Sequence, residues 1–384
     1  MKIAIVTDNF LPGIGGTEQA VKGLADELSK KHEVLVACPS YHEKNNAVYN
    51  FKVQRCRSIK LTKNEFLPVP AFSKKFRKAF KNFMPDIINC HSILGITMFA
   101  IKYAKKHRIP VLMTIHTKYK EAFFIKFRPI VSLFIKGIVN KLKKANNVST
   151  VCRDMVVQLQ SYGFNKHVSV IRNGSTLIQQ NNLLQKAEDA VKFFNITKPH
   201  ILLFVGHIVK FKNLQMILDA LKIVRNKRDD FIMLFVGSGL NDRYFKKQCQ
   251  KMKLNDIVTF TGVIKDRNLL SGIYAASDLL LFPSIFDNDP LTIVEAAIYE
   301  TPAIVLSGTG SSERIIDGNN GFIIENDVTA FAEKINFLLN NKTLLQSVGA
   351  EASKTIPKSW EETAKEYENI YTNMLNDKRN IKGD

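Results

Sequence analysis

Short apolar runs separated by segments of helical period recur along almost the whole chain, and this alternation restricts the fold more than any other feature. In the first half the runs lie at residues 3–6, 34–37, 87–90, 111–115, 148–151 and 168–171, and in the second at 201–205, 231–236, 258–261, 279–282 and 303–306. Continuous apolar runs of four to six residues suit strands buried on both faces. The helical segments between them suit the crossovers that parallel strands require. A chain of 384 residues exceeds a single ordinary core. The alternation pauses after Asn173-Gly174, where the polar stretch 179–186 reads as an interdomain linker. The expected fold is therefore α/β, with two Rossmann-like, doubly wound domains facing across a cleft. Their expected bounds are 1–175 and 176–358, and residues 359–384 form a C-terminal helix, starting near Trp360, that crosses back to the first domain, plus a tail.

Composition narrows the setting. An apolar fraction of 45% belongs to a folded soluble protein. No apolar run approaches the roughly 20 residues of a membrane-spanning helix. The N-terminus reads as a first strand, not a signal peptide, so a cytoplasmic location is expected. Five cysteines without metal or redox spacing fit buried thiols in a reducing compartment.

The net charge of +20 is carried by one half. Residues 1–180 hold 30 Lys+Arg against 10 Asp+Glu, whereas residues 181–384 hold 25 of each. Between Lys52 and Lys81 ten basic residues and one acid are mixed with Phe51, Phe66, Leu67, Phe72, Phe76 and Phe80. A second mixture of eight basic residues with Phe123, Phe124, Phe127, Leu133 and Phe134 runs from Lys118 to Lys144. Cationic and aromatic surfaces suit an anionic membrane, so peripheral attachment to the inner face of the cell membrane is expected. A solvated basic face and an ordinary helix burying its apolar side are the competing readings. A nucleic-acid partner is not expected: it accounts for the charge but gives no reason for the paired acids described next.

Those acids lie where the apolar run 279–282 hands over to a helix beginning at Pro290. Asp287 sits on the loop and Glu295 about a turn and a half into the helix, so both can face the carboxyl edge of a parallel sheet. Pro290, Leu291 and Thr292 open the helix, whose first amides favour an anion. His207, Lys210 and Lys212 follow the run 201–205 at a second strand end, where cations neutralise a diphosphate. Asp287-Asn288-Asp289 also spells a D-x-D metal motif, but these cations and the partner Glu295 favour a metal-free site. In the first half, Gly15 and Gly16 precede a helix, and His116 ends the run 111–115. A dehydrogenase-type dinucleotide site is disfavoured, because the glycine spacing is incomplete and no acid ends the second strand.

Together these residues resemble the retaining glycosyltransferases of family 4, which have the GT-B fold. The resemblance covers Met1 to about Tyr371. It implies that Asp287 reaches donor-sugar hydroxyls and that Glu295 binds the ribose. The family's Arg and Lys on the diphosphate fall on His207 and Lys212, with Lys210 nearby to supply the missing charge. Gly15 and Gly16 match the donor-phosphate loop, His116 the active-site histidine, and Glu313 the Glu of a glycine-rich loop at 310–321. The implied co-substrate is a nucleotide sugar, a UDP-sugar foremost, with no further cofactor and no metal. The His-Thr-x-Tyr at 116–119 is similar to bacterial glycolipid synthases, which implies a lipid or polyprenyl-linked glycan acceptor. A soluble or polysaccharide acceptor and a sugar-nucleotide epimerase of related fold are the alternatives.

Overall fold

The computed structural model describes residues 1–13, 15–41, 48–60, 66–118, 128–175 and 182–383. The chain divides into two compact units, Met1–Thr176 with Lys358–Asp384, and Leu177–Pro357. Unit 1 contains β1 (Lys2–Val6), α1 (Gly16–Leu28), β2 (Glu33–Pro39), β3 (Lys52–Cys56), β4 (Ser58–Lys60), β5 (Phe66–Pro68), α2 (Lys74–Phe83), β6 (Ile87–Cys90) and α3 (Gly95–His107). It continues with β7 (Val111–Ile115), α4 (Arg128–Leu142), β8 (Asn147–Thr150), α5 (Arg153–Ser161) and β9 (Val168–Val170). Seven parallel strands form its sheet in the order β3-β2-β1-β6-β7-β8-β9, and β4 pairs with β5 apart from it.

Unit 2 begins with α6 (Leu183–Phe193), β10 (His200–Val205), α7 (Leu214–Arg225), β11 (Phe231–Val236), α8 (Asp242–Lys251) and β12 (Val258–Gly262). It ends with α9 (Arg267–Ala276), β13 (Leu279–Phe282), α10 (Leu291–Ile298), β14 (Ala303–Leu306), β15 (Phe322–Ile324), α11 (Val328–Leu339) and α12 (Lys342–Thr355). Its six strands run in the order β12-β11-β10-β13-β14-β15, all parallel. β13 and β14 are buried along their whole length, as strands covered on both faces must be.

Every apolar run singled out in the sequence is a strand. Within the two parallel sheets, β3 and β15 escape the pattern because β3 mixes Lys52, Gln54 and Arg55 into its five residues and β15 has only three; the short β4 and β5 escape it too.

Two expectations are corrected. Residues 183–186 of the expected linker form the first turn of α6, while 179–181 lie outside the described residues. The polarity that suggested a loop is the solvent side of a helix whose Ala190 is fully buried and which packs along α9. The aromatic residues of the basic stretch are largely core. Phe51, Phe76 and Phe80 are buried, and Phe76 and Phe80 stack edge-on against Phe99 of α3, so of the six residues singled out there Phe72, at 74% exposed, and Leu67, at 39%, are the ones that face water. In the second basic stretch Phe134 packs against the core and Leu133 is exposed, while Phe123, Phe124 and Phe127 lie outside the described residues.

Unit 1 is completed by α13 (Trp360–Gly383), which lies along α1. The approach is close enough that a Cβ on Gly23 would stand 2.1 Å from the Trp360 ring. Farther along α13, Tyr371 and Tyr367 enter a buried polar network. Asn89 donates to the Tyr371 hydroxyl at 2.8 Å, Thr114 donates to Asn89 Oδ1 at 3.0 Å, and the Thr114 and Ser149 hydroxyls share a bond at 2.9 Å. The Tyr367 hydroxyl reaches both Thr114 and Ser149. Three strands, β6, β7 and β8, are thus tied to a helix that arrives from the far end of the chain, and Asn89, Thr114 and Ser149 all find partners in this network.

The Trp360 contact gives a direct test. Gly23→Ala is expected to destabilise unit 1 by about 1–3 kcal/mol through overpacking. The single Trp makes its fluorescence a reporter of unit 1 in denaturant. Gly137→Ala on α4, where a Cβ meets nothing within 4 Å, is the matched control and should not destabilise.

Candidate functional site: the carboxyl edges of the two sheets

In both sheets the chain moves outward from a central pair of parallel strands, β1 with β6 and β10 with β13. Right-handed crossovers then send the following helices to opposite faces, leaving a crevice at the carboxyl ends of that pair. In unit 2 the β10 end supplies His207 and the short 3-10 turn Lys210–Lys212, and the β13 end supplies the loop leading to α10.

Lys212 and Asp287 meet across this crevice. The Lys212 ammonium donates to both carboxylate oxygens, at 2.7 and 2.6 Å, and lies 5.0 Å from the centre of the Phe282 ring. Their side chains keep 12% and 21% of their exposure, so solvent reaches the pair. Pro290 occupies the N-cap of α10, where no side chain bonds the first amides, and Leu291 opens the helix half-buried. Thr292 donates to the carbonyl of Val205 at 3.3 Å, which ties the start of α10 to the end of β10.

The other acid of the D-x-D has a different fate. Asp289 takes the Arg314 guanidinium in a fork, Nε to Oδ1 at 2.6 Å and Nη2 to Oδ2 at 2.9 Å, with the two side chains only 3% and 6% exposed. Arg314 also donates to the Ile356 carbonyl at 2.9 Å. Gly310, at the start of the 3-10 turn Gly310–Arg314 that carries Glu313, presses on this loop so closely that a Cβ would lie 2.4 Å from the Asn288 carbonyl. Each carboxylate of the motif is therefore engaged by a cation of the chain itself.

Glu295 faces outward from the second turn of α10. Its Oε2 accepts from the Tyr274 hydroxyl at 3.0 Å and its Oε1 from Arg267 Nη1 at 3.5 Å. Burial pushes its carboxyl above the usual range, while Tyr274 and Arg267 oppose the shift. Lys210 is not brought to Asp287: its ammonium lies 4.8 Å from the centre of the Tyr244 ring on α8. His207 is exposed.

In unit 1 the β1–β6 crevice is partly filled. Asp8, just past β1, accepts from the amides of Leu94 and Ile96 at 3.0 Å each and so caps α3 across the sheet. Gly15 is the N-cap of α1, and a Cβ there would stand 2.3 Å from Glu18 Oε2. The space read as a phosphate cradle thus holds the carboxylate of Glu18, while a Cβ on Gly16 meets nothing within 4 Å. His116, half-buried after β7, shares a 2.8 Å bond between its Nε2 and Nδ1 of His91, the residue after β6. Their rings stack with centres 5.1 Å apart. His91 is 4% exposed, and its burial, aided by the charge of His116, holds its pKa well below the usual 6.5.

His91, Tyr274 and Arg314 were not singled out in the sequence. His91 follows a strand end as His116 does, and the same rule finds it. Tyr274 and Arg314 sit on a helix and a turn whose spacing carries no signal.

Residues 14–177 match the family model for Glycosyltransferase Family 4, and residues 185–355 match that for Glycosyl transferases group 1. With these two matches spanning most of its length, the chain belongs to the family 4 glycosyltransferases and has the GT-B fold. The alpha-monoglucosyldiacylglycerol synthase of Streptococcus pneumoniae is 26% identical over 322 residues, covering 79% of this chain and 70% of that protein. The enzyme of the same name from Acholeplasma laidlawii is 23% identical over 404 aligned positions, covering 100% and 99%. Among solved structures, Anabaena HepE in complex with UDP and glucose superposes with a TM-score of 0.78 at 16% identity, over 97% of this chain and 99% of that one. Sucrose-phosphate synthase from Thermosynechococcus elongatus gives 0.81 at 18%, over 97% and 98%. At these identities the structural likeness is one of fold.

The His91 environment predicts a pH dependence. The folded chain keeps His91 neutral, whereas the unfolded chain takes up a proton near 6.5. A depressed folded pKa means that the unfolded state binds more protons, so its contribution is fully present above that pH and is lost as pH falls below it. The unfolding free energy of unit 1, followed through Trp360, should decline from pH 7 to pH 5, and His91→Asn should flatten that slope.

Proposed function

We propose that this glycosyltransferase moves a hexose from a UDP-sugar to a lipid acceptor, with retention at the anomeric carbon and without a metal ion. The observation that carries the reading is the Lys212 ammonium, held on the accessible carboxylate of Asp287 beside the first turn of α10. In this scheme the donor diphosphate takes Lys212 from Asp287 and accepts from the α10 amides, whose dipole favours the charge developing on the leaving group. Asp287, once released, turns to sugar hydroxyls, and Glu295 takes the ribose. In unit 1, His116 is assigned to the sugar. The Gly15 and Gly16 amides are assigned to phosphate, for which Glu18 must swing aside. The C–O bond to the diphosphate breaks through an oxocarbenium-like transition state. The acceptor oxygen enters on the same face and its proton passes to the departing phosphate oxygen.

Metal independence is supported by the pairing of Asp289 with Arg314, which leaves no carboxylate pair open at the D-x-D. The donor assignment is supported by the UDP-bound structural relatives, and the acceptor by the two relatives named as alpha-monoglucosyldiacylglycerol synthases.

No helix among the described residues is long and apolar enough to cross a membrane. An anionic membrane surface is the proposed partner of unit 1. Its proposed contact is formed by exposed Ile59, Leu67 and Phe72 on β4, β5 and the turn before α2, together with exposed Arg57, Lys60, Lys74, Lys75 and Lys78 of the same stretch. The proposed location is accordingly the inner face of the cell membrane.

Incubation with labelled UDP-, GDP- and ADP-sugars and bacterial membrane extract, with and without chelator, tests the reaction. Label is expected to pass from the UDP-sugar into the organic phase despite chelator, and Glu295→Ala should abolish transfer. Near-normal turnover in that variant, or loss of turnover in chelator, would sink the corresponding assignment; conversion of the donor without an acceptor would identify an epimerase.

Docking is tested by vesicle sedimentation. Lys74→Ala with Lys75→Ala should weaken binding to phosphatidylglycerol vesicles by roughly tenfold or more, at about 1 kcal/mol per lysine. Equal partition of the unaltered protein to anionic and neutral vesicles would refute the surface.

A further inference from the structure

We infer that Tyr274 is a positioning residue for Glu295: its buried hydroxyl holds Oε2 and thereby sets Oε1 as the oxygen presented to the nucleotide. The inference rests on the reading of Glu295 as the donor-binding carboxylate.

Tyr274 is 1% exposed and cannot touch a ligand itself. It lies on α9, and its ring stacks face to face on Tyr299, with centres 5.8 Å apart and planes 10° off parallel. The Tyr299 hydroxyl is fixed in turn by Ser271 at 2.6 Å. The ring is therefore held in place, and its hydroxyl stands 3.0 Å from Glu295 Oε2, with the Thr292 side chain as its second hydrogen-bond partner.

A glutamate on a helix has three freely rotating side-chain bonds, and a helix alone does not choose among its rotamers. Here a bond from a rigid donor to an ionised acceptor makes the choice. Oε1 is left to the Arg267 guanidinium at 3.5 Å, whose side chain is 66% exposed. Tyr274 and Arg267, both on α9, are the titratable or charged groups that act on this carboxylate among the described residues.

The arrangement also explains how a carboxylate in this partly buried place stays an acceptor. Burial favours the protonated form, and the Tyr274 bond and Arg267 favour the charged one. Removing the phenol oxygen must then raise the Glu295 pKa further, so ligand binding that needs the ionised form is lost at a higher pH. A residue that merely filled space would change stability without moving that limb.

The test is UDP binding by calorimetry from pH 5 to 8, on the full chain, for the unaltered protein, Tyr274→Phe, Glu295→Gln and the double variant. Tyr274→Phe keeps the stacked ring, and its thermal midpoint checks that it folds. It is expected to weaken UDP binding about tenfold at pH 7 and to move the acid limb of binding to higher pH. In the Glu295→Gln background it should add nothing. If Tyr274→Phe leaves both affinity and acid limb unchanged while Glu295→Gln loses binding, the positioning role is overturned and the site stands. If Glu295→Gln itself binds UDP like the unaltered protein, the reading of the site fails and takes this inference with it.

Discussion

Parallel pairing of β1 with β6 and of β10 with β13 is the constraint on which the rest of this structure depends. Each pair marks the place where the chain stops building its sheet in one direction and starts in the other. Because crossovers of parallel strands are right-handed, the helices on either side of that place cannot both cover it. The two units solve the resulting gap differently. Unit 1 fills much of its crevice with Asp8, which caps α3, and with Glu18 at the start of α1. Unit 2 leaves Lys212, Asp287 and the first turn of α10 within reach of solvent.

Burial separates two ion pairs that look alike in sequence. Asp287 and Asp289 are two residues apart, each bonded to a cation through both oxygens. At 3% exposure, with a forked guanidinium partner, Asp289 is a structural fixture: an uncompensated charge there would be strongly unfavourable. Lys212 holds Asp287 with a single ammonium in a place that water reaches, where partners exchange at low cost.

The C-terminal helix does for unit 1 what a cap does for a repeat. Tyr367 and Tyr371 complete hydrogen bonds for Asn89, Thr114 and Ser149, which would otherwise be polar groups buried in the middle of three strands. Tyr367 also stands beside His91, with ring centres 6.1 Å apart, so this network underlies the strand ends that carry the histidine pair. Trp360, fitted against Gly23, sets where the helix begins its run along α1.

Strand positions, the two-unit division and the candidate residues at strand ends were legible in the sequence, because a parallel strand covered on both faces must be apolar throughout and its polar neighbours must then lie at the edge. Lys212 and Asp287 were each singled out in this way, at two different strand ends. Which polar groups face one another was not legible. The sequence shows ten basic residues among phenylalanines and cannot tell that Phe76 and Phe80 are core while Phe72 is not, since that depends on how α2 is rotated against α3. It shows a polar stretch after Asn173-Gly174 and cannot tell that α6 begins within it, because the face that α9 buries is narrow. Only the tertiary structure joined Asp289 to Arg314, His91 to His116 and Tyr274 to Glu295, for a single physical reason: each pair unites residues on different elements, at separations that no local periodicity encodes.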